Sequence, residues 1–119
     1  MISGETAEAM FIVECQKRGI NCSKPFSGNS VFDFVTYFDG ALYKIQVKSS
    51  MYSKAGLGRK NKNSSQGTRR PYSSKDIDFF ALLDAVTGVW NIVPYSIRQS
   101  SFRLKQKTKY TEAWEQLKK

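Results

Sequence analysis

The 119-residue chain contains no histidine. That absence removes Ser-His-Asp and Cys-His catalysis, zinc sites of histidine and cysteine, and histidine-based nucleases of the HNH kind. Hydrolysis in this chain is left to carboxylates, lysine and a hard metal ion. Cysteine is scarce as well. Cys15 and Cys22 are the only two, and in a chain of cytosolic character they read as reduced core thiols rather than a disulfide. Long apolar runs are missing and the first stretch is acidic, so neither a membrane span nor a secretory signal is expected. The expectation is a cytoplasmic protein without a membrane partner. Acidic residues are few, 10 against 19 Lys and Arg, which leaves a net charge of +9. Such an excess draws polyanions, nucleic acid foremost. An anionic membrane surface is the rival partner, but no basic amphipathic helix accounts for the charge.

The length suits a single domain over residues 1–119 with a modest core, so pairing with further copies of the chain is expected. Residues 3–18 read as a helix: Ser3 can cap it, Glu5 and Glu8 suit its first turn, and Gly19 after Lys17 and Arg18 suits its end. A short strand is expected over Ile20 to Lys24, then a loop at Pro25, Gly28 and Asn29. Residues 31–38, rich in β-branched and aromatic types, read as a strand, and Asp39-Gly40 is a two-residue hairpin signal. On the return strand, residues 41–49, Tyr43, Ile45 and Val47 alternate with Lys44, Gln46 and Lys48. Residues 48–75 then carry eight basic residues and no acidic one. They read as a long basic loop, ending in a short turn at Ser74 to Ile77. Residues 78–94 read as a hairpin about Thr87-Gly88. A second basic stretch follows at 98–109, and Tyr110 to Lys118 reads as a short amphipathic helix with Trp114 and Leu117 on its apolar side.

Three features invite a chemical reading. Asp33 sits between Phe32 and Phe34 in an apolar strand, where aspartate is disfavoured. Gln46 and Lys48, two apart, project from one face of the paired strand. With Asp39-Gly40 as a two-residue loop, Phe38 faces Ala41 and Asp33 falls opposite Gln46, so the three side chains form one polar cluster; a slip of one residue would separate them. Glu8 has Phe11, Ile12 and Cys15 at its helical neighbour positions, unlike Glu14, which has Lys17 and Arg18. Glu8 therefore points inward or toward a site. Each feature has a plainer reading: Asp33 as a charge on a solvated edge, Gln46 and Lys48 as an ordinary polar face, Glu8 as a helix-dipole charge. Two carboxylates and an amide oxygen make an oxygen-rich site suited to Mg²⁺, with a lysine beside it to orient a water or neutralise charge. Asp76 and Asp78 read as cap and strand-start residues, and Trp90 and Trp114 as core or interface residues.

Together, Gly4-Glu5-Thr6-Ala7-Glu8, Ser30-Val31-Phe32-Asp33 and Gln46-Val47-Lys48 resemble the PD-(D/E)XK nuclease superfamily. The downstream Asp76-Ile77-Asp78-Phe79-Phe80-Ala81 and the Trp90-to-Pro94 strand resemble its compact intron-encoded homing endonucleases, so the resemblance covers residues 4–95. It implies an α/β fold, a mixed sheet flanked by helices with an αβββαβ core. It implies Asp33 as central metal ligand, Lys48 as catalytic lysine, Glu8 as supplementary acid and the Val47 carbonyl as a backbone ligand. Gln46 takes the position usually held by Glu or Asp, and Phe32 stands where the motif has proline. The implied cofactor is Mg²⁺, with Mn²⁺ as substitute.

The function expected on these grounds is a metal-dependent endonuclease cutting double-stranded DNA at a specific site as a homodimer or higher homo-oligomer. Lys54, Arg59, Lys60, Lys62, Arg69, Arg70 and Lys75 would hold the DNA through loop 50–75, and Tyr52 and Tyr72 could stack or touch sugars. Residues 98–119 form a C-terminal basic segment and helix, of which the basic stretch 98–109 would touch backbone only. Two alternatives stand beside it: a four-way (Holliday) junction resolving nuclease, whose relatives carry a helix between the third and fourth strands, and a non-catalytic DNA-binding module.

Overall fold

Ser3 begins the order of the chain. Its hydroxyl accepts from the Thr6 N–H and caps α1, Gly4–Lys17. The helix stops where Gly19 adopts φ +71, and the N–H groups of Gly19 and Ile20 return to the Gln16 and Cys15 carbonyls. The computed structural model describes residues 2–28, 30–58, 73–97 and 100–119. After α1 come β1 (Asn21–Ser23), β2 (Phe34–Phe38), β3 (Ala41–Ser50), β4 (Lys54–Gly56), β5 (Phe79–Asp84), β6 (Trp90–Pro94), β7 (Ser101–Arg103) and a 3-10 helix, Trp114–Lys118.

Five strands form a mixed sheet in the order β1-β2-β3-β5-β6, antiparallel except for the parallel β3–β5 pair. β4 and β7 form a separate antiparallel ribbon. On one face of the sheet, Ala7, Phe11 and Cys15 of α1 and Trp114 and Leu117 of the 3-10 helix pack on Phe34, Ile45, Val47, Ala81, Leu83, Trp90 and Ile92. On the other, Ala55 and Phe102 of the ribbon, with Leu57, Ile77 and Leu104, pack on Phe80, Leu82 and Val93. Being covered on both faces, β5 is apolar without a break from Phe79 to Leu83, whereas β3 alternates.

The mixed sheet with a helical flank is the expected architecture, and several elements differ in extent. β2 begins at Phe34 rather than at residue 31, because the backbone bends over Val31–Asp33. Phe32 joins the ribbon-side core and Phe34 the helix-side core. Residues two apart in a regular strand would share a face. The basic stretches expected as loops contain β4 and β7, which are too short and too polar to show strand periodicity. The expected helix from Tyr110 is shorter. Glu112 has φ +51, and its carboxylate accepts from the Trp90 N–H at 2.8 Å and the Trp114 indole N–H at 2.7 Å. Those tertiary bonds hold the chain out of helix until Trp114. Residues 59–72, with Arg59, Lys60, Lys62, Arg69, Arg70 and Tyr72, lie outside the described residues, as does Arg98. Among the described residues, no helix is long and apolar enough to cross a membrane.

Candidate active site

The β2–β3 hairpin sets the site's frame. Asp39 and Gly40 have φ values of 46° and 89°, the doubly left-handed pair of a type I′ turn. The register then runs from Phe38↔Ala41 to Phe34↔Ile45. Asp33 stands at the end of this ladder. Its N–H donates to the Ile45 carbonyl at 2.8 Å, and its carboxylate accepts from the Val47 N–H at 2.8 Å. A side-chain oxygen thus takes the role of a ladder acceptor. The bonded partners of Asp33 are the two residues that flank Gln46. Asp33 is consequently held by the β3 backbone rather than as a regular cross-strand partner of Gln46.

Burial lifts the Asp33 carboxyl above its ordinary range. The Val47 N–H opposes this, the Glu8 carboxylate adds to it, and the Lys24 and Lys48 ammonium groups work against it. Glu8, Asp33, Lys24 and Lys48 are therefore electrostatic neighbours, although they come from α1, the residue before β2, the residue after β1, and β3. Glu8 is half-buried, and its carboxylate receives the Lys24 ammonium, sixteen residues away in sequence. Glu14, the contrasting helix acid, pairs with Arg18 at 2.7 Å and Lys17 at 3.4 Å on its own helix, as its spacing predicts.

Ile45 and Val47 enter the helix-side core, so Gln46 and Lys48 lie on the opposite face of β3. Both are half-buried. Lys48 lines a recess of about 350 Å³ with Gly4 and Ala7 of α1, Val47 and Ser49 of β3, and Ala55, Gly56 and Gly58 of the ribbon region. Its ammonium reaches the Gly58 carbonyl in a long contact of 3.4 Å. The recess joins the first turns of α1 to the Lys48 end of the site.

The donor set suits a hard cation. The Glu8 carboxylate disfavours charge on Asp33, and the Lys24 ammonium already sits on Glu8. Among the described residues no three of His, Cys, Asp and Glu gather in a metal-ligating arrangement. A divalent ion here would therefore draw further ligands from the Gln46 amide, the Val47 carbonyl and water, the coordination Mg²⁺ favours.

Of the expected DNA contacts, Lys54 and Lys75 are described and exposed. Lys54 is the direct partner of Arg103 across the ribbon, so the two side chains share a face. With Gln106, Thr108 and Tyr110 they border a recess of about 530 Å³. Tyr52 is exposed. Asp76 accepts from the Ser73 N–H and Asp78 from the Lys44 N–H, the structural roles expected of them. Trp90 and Trp114 are buried core residues, and both cysteines are free thiols.

Two further cations stand beside the expected residues, Arg103 opposite Lys54 and Lys24 on Glu8. The sequence puts Arg103 in a basic stretch and gives no sign of its strand partner Lys54. The sequence puts Lys24 at a strand end and marks no role for it. Its one signal was isolation, as the single charged residue between Gly19 and Phe32.

A family model described as PD-(D/E)XK endonuclease matches residues 2–118. The fold is similar to the solved structure of a bacterial homing endonuclease, I-Ssp6803I, with a TM-score of 0.79 and 24% identity over 97% of this chain and 90% of that one. No curated protein matches the sequence. With the family match running from before α1 to the last turn of the 3-10 helix, the chain belongs to the PD-(D/E)XK endonucleases, nucleases that generally use divalent metal ions.

Proposed function

We propose that the chain is a Mg²⁺-dependent endonuclease for double-stranded DNA, acting at a specific site, with Asp33, Glu8, Gln46 and Lys48 as its catalytic set. The observation that carries this reading is the convergence of Glu8, Asp33 and Lys48 beside the Val47 N–H that fixes the Asp33 carboxylate. The bound metal would supply a Lewis acid that makes water acidic and takes up charge on the phosphate. Asp33 and Glu8 would hold it, with the Gln46 amide and Val47 carbonyl completing the protein's share. Lys48, on the recess side of β3, would orient the attacking water or neutralise charge as the phosphodiester is attacked.

The basic surface supports duplex DNA as the substrate. Lys54 and Arg103 form a paired platform on the ribbon, and Lys75 adds a cation just before β5. Arg59, Lys60, Lys62, Arg69 and Arg70 supply further charge in the connecting segment. One such site cuts one strand. A double-strand break then needs two copies related by symmetry and a target that mirrors it, so a homodimer or larger homo-oligomer follows.

The test is nicking of supercoiled plasmid and of a synthetic four-way junction with Mg²⁺, Mn²⁺ or EDTA, alongside Lys48→Ala. Metal-dependent plasmid cutting lost in the variant is the expected result. Preference for the junction would move the substrate to branched DNA. Binding of both substrates without cutting, on DNA that includes a selected target sequence, would leave a DNA-binding module.

A further inference from the structure

Lys24 leaves β1 immediately before Pro25, and its ammonium bonds the Glu8 carboxylate. It also lies 5.2 Å from the centroid of the Phe34 ring, next in sequence to Asp33. Asp33 and Glu5 add to the negative field around it. The ammonium therefore rests on one of the carboxylates assigned above to the metal, Glu8, and lies in the field of the other, Asp33. An oxygen of Glu8 that faces an ammonium is not free to face a divalent ion at the same time. The Lys24 side chain is 63% exposed, on a flexible four-carbon stem, so it can swing into water without disturbing the core.

We infer that Lys24 is a placeholder cation of the active site: it holds Glu8 in the metal-free protein and is displaced when a divalent ion binds at Glu8 and Asp33. This rests on the metal-site reading proposed above. An ammonium brings one charge and a divalent ion two, so the exchange favours the metal while the lysine keeps the two carboxylates from facing each other uncompensated beforehand. Lys24 is thereby a positioning residue, acting on the reaction through Glu8. Because exposed ion pairs are weak, the competition costs metal affinity only about 2- to 5-fold.

Two measurements on the full chain test this. Mn²⁺ binding is titrated by electron paramagnetic resonance for the unaltered protein and for Lys24→Met. Lys24→Met should bind about 2- to 5-fold more tightly, and equal or weaker binding would overturn the exchange. A purely structural Lys24 would lower the melting temperature of Lys24→Met without this gain. The second measurement needs no variant. Acetylation of Lys24 by an N-hydroxysuccinimide ester is followed by peptide mass spectrometry with and without Mg²⁺, using exposed Lys107 as internal reference. Mg²⁺ should raise the Lys24 rate relative to Lys107 by at least about 2-fold, the release expected of a broken ion pair. An unchanged ratio with metal bound would overturn this inference alone. Absence of metal binding in both proteins would overturn the metal site and the inference with it.

Discussion

Asp33→Ala and Asp33→Asn, compared as a pair, separate what this residue does for the fold from what it does for the chemistry. Asp33 accepts the Val47 N–H at 2.8 Å, and Val47 is 7% exposed. Alanine leaves that donor without its partner, at a cost of about 1–3 kcal/mol. The loss is partly offset, because the carboxylate is half-buried and faces Glu8. For a domain of this size about 1 kcal/mol shifts the melting temperature by roughly 3–6 °C. Asp33→Ala should therefore melt several degrees below the unaltered protein in EDTA. Asparagine keeps an oxygen for the Val47 N–H and removes the charge, so Asp33→Asn should melt at or above the unaltered protein. The sign has a pH signature. The folded Asp33 titrates above its unfolded value of about 3.9, so the charged site loses stability as pH rises from the unfolded value through the folded one. The advantage of Asn should be absent in acid, grow across that window and level off above it. Calorimetry in EDTA reads the fold, and plasmid nicking in Mg²⁺ reads the chemistry, where both variants should be inactive. Equal melting temperatures for the two variants would refute the role given to the Val47 bond. Cutting by Asp33→Asn would refute Asp33 as a metal ligand.

Lys48→Ala should reduce cleavage by at least about 100-fold, the usual effect of losing a group that stabilises developing charge, while DNA affinity in a binding assay stays within a few-fold. Near-normal cutting would remove Lys48 from the catalytic set. Gln46→Glu adds a charged ligand beside Asp33 and should tighten Mn²⁺ binding with the melting temperature little changed. A large loss of stability would instead place Gln46 in the core. Asp84 is 1% exposed; burial raises its carboxyl, but Lys105 at 2.8 Å and the Val86 and Thr87 N–H groups outweigh that and leave it below its ordinary range. Its contribution to stability is therefore full above the unfolded value of about 3.9 and is lost as pH falls through the folded one. Asp84→Ala should cost about 2–3 kcal/mol at neutral pH and flatten the acid limb of the melting-temperature profile. An unchanged acid limb would refute that.

The legible parts of the molecule were those set by local chemistry. Ser3 and Gly19 bound α1 because a hydroxyl cap and a left-handed glycine act within one turn of the chain. Asp39-Gly40 fixed the β2–β3 register because its turn geometry leaves one pairing, whereas Gly88, left-handed at φ +80, marked the place of the β5–β6 turn but not its register, which pairs Leu83 with Trp90. The apolar alternation of Ile45 and Val47 placed Gln46 and Lys48 together on the other face. The order Glu8, Asp33, Gln46-Val47-Lys48 was enough to mark the family that the match over residues 2–118 bears out.

Tertiary structure decided what depends on partners distant in sequence. β4 and β7 exist because each completes the other's hydrogen bonds and buries Ala55 and Phe102 on the sheet, and three-residue strands carry no periodicity of their own. Glu112 stops a helix by bonding Trp90, twenty-two residues earlier. Asp33 lies outside the strand, with its carboxylate in place of a backbone carbonyl at the Val47 N–H. Lys24 reached Glu8 only once β1 lay beside α1. The sequence alone thus determined caps, turns, faces and the residue types able to hold a metal, since these follow from interactions within a few residues. The meeting of those residues at one point, and the cation that joins them there, follows from packing across the whole sheet.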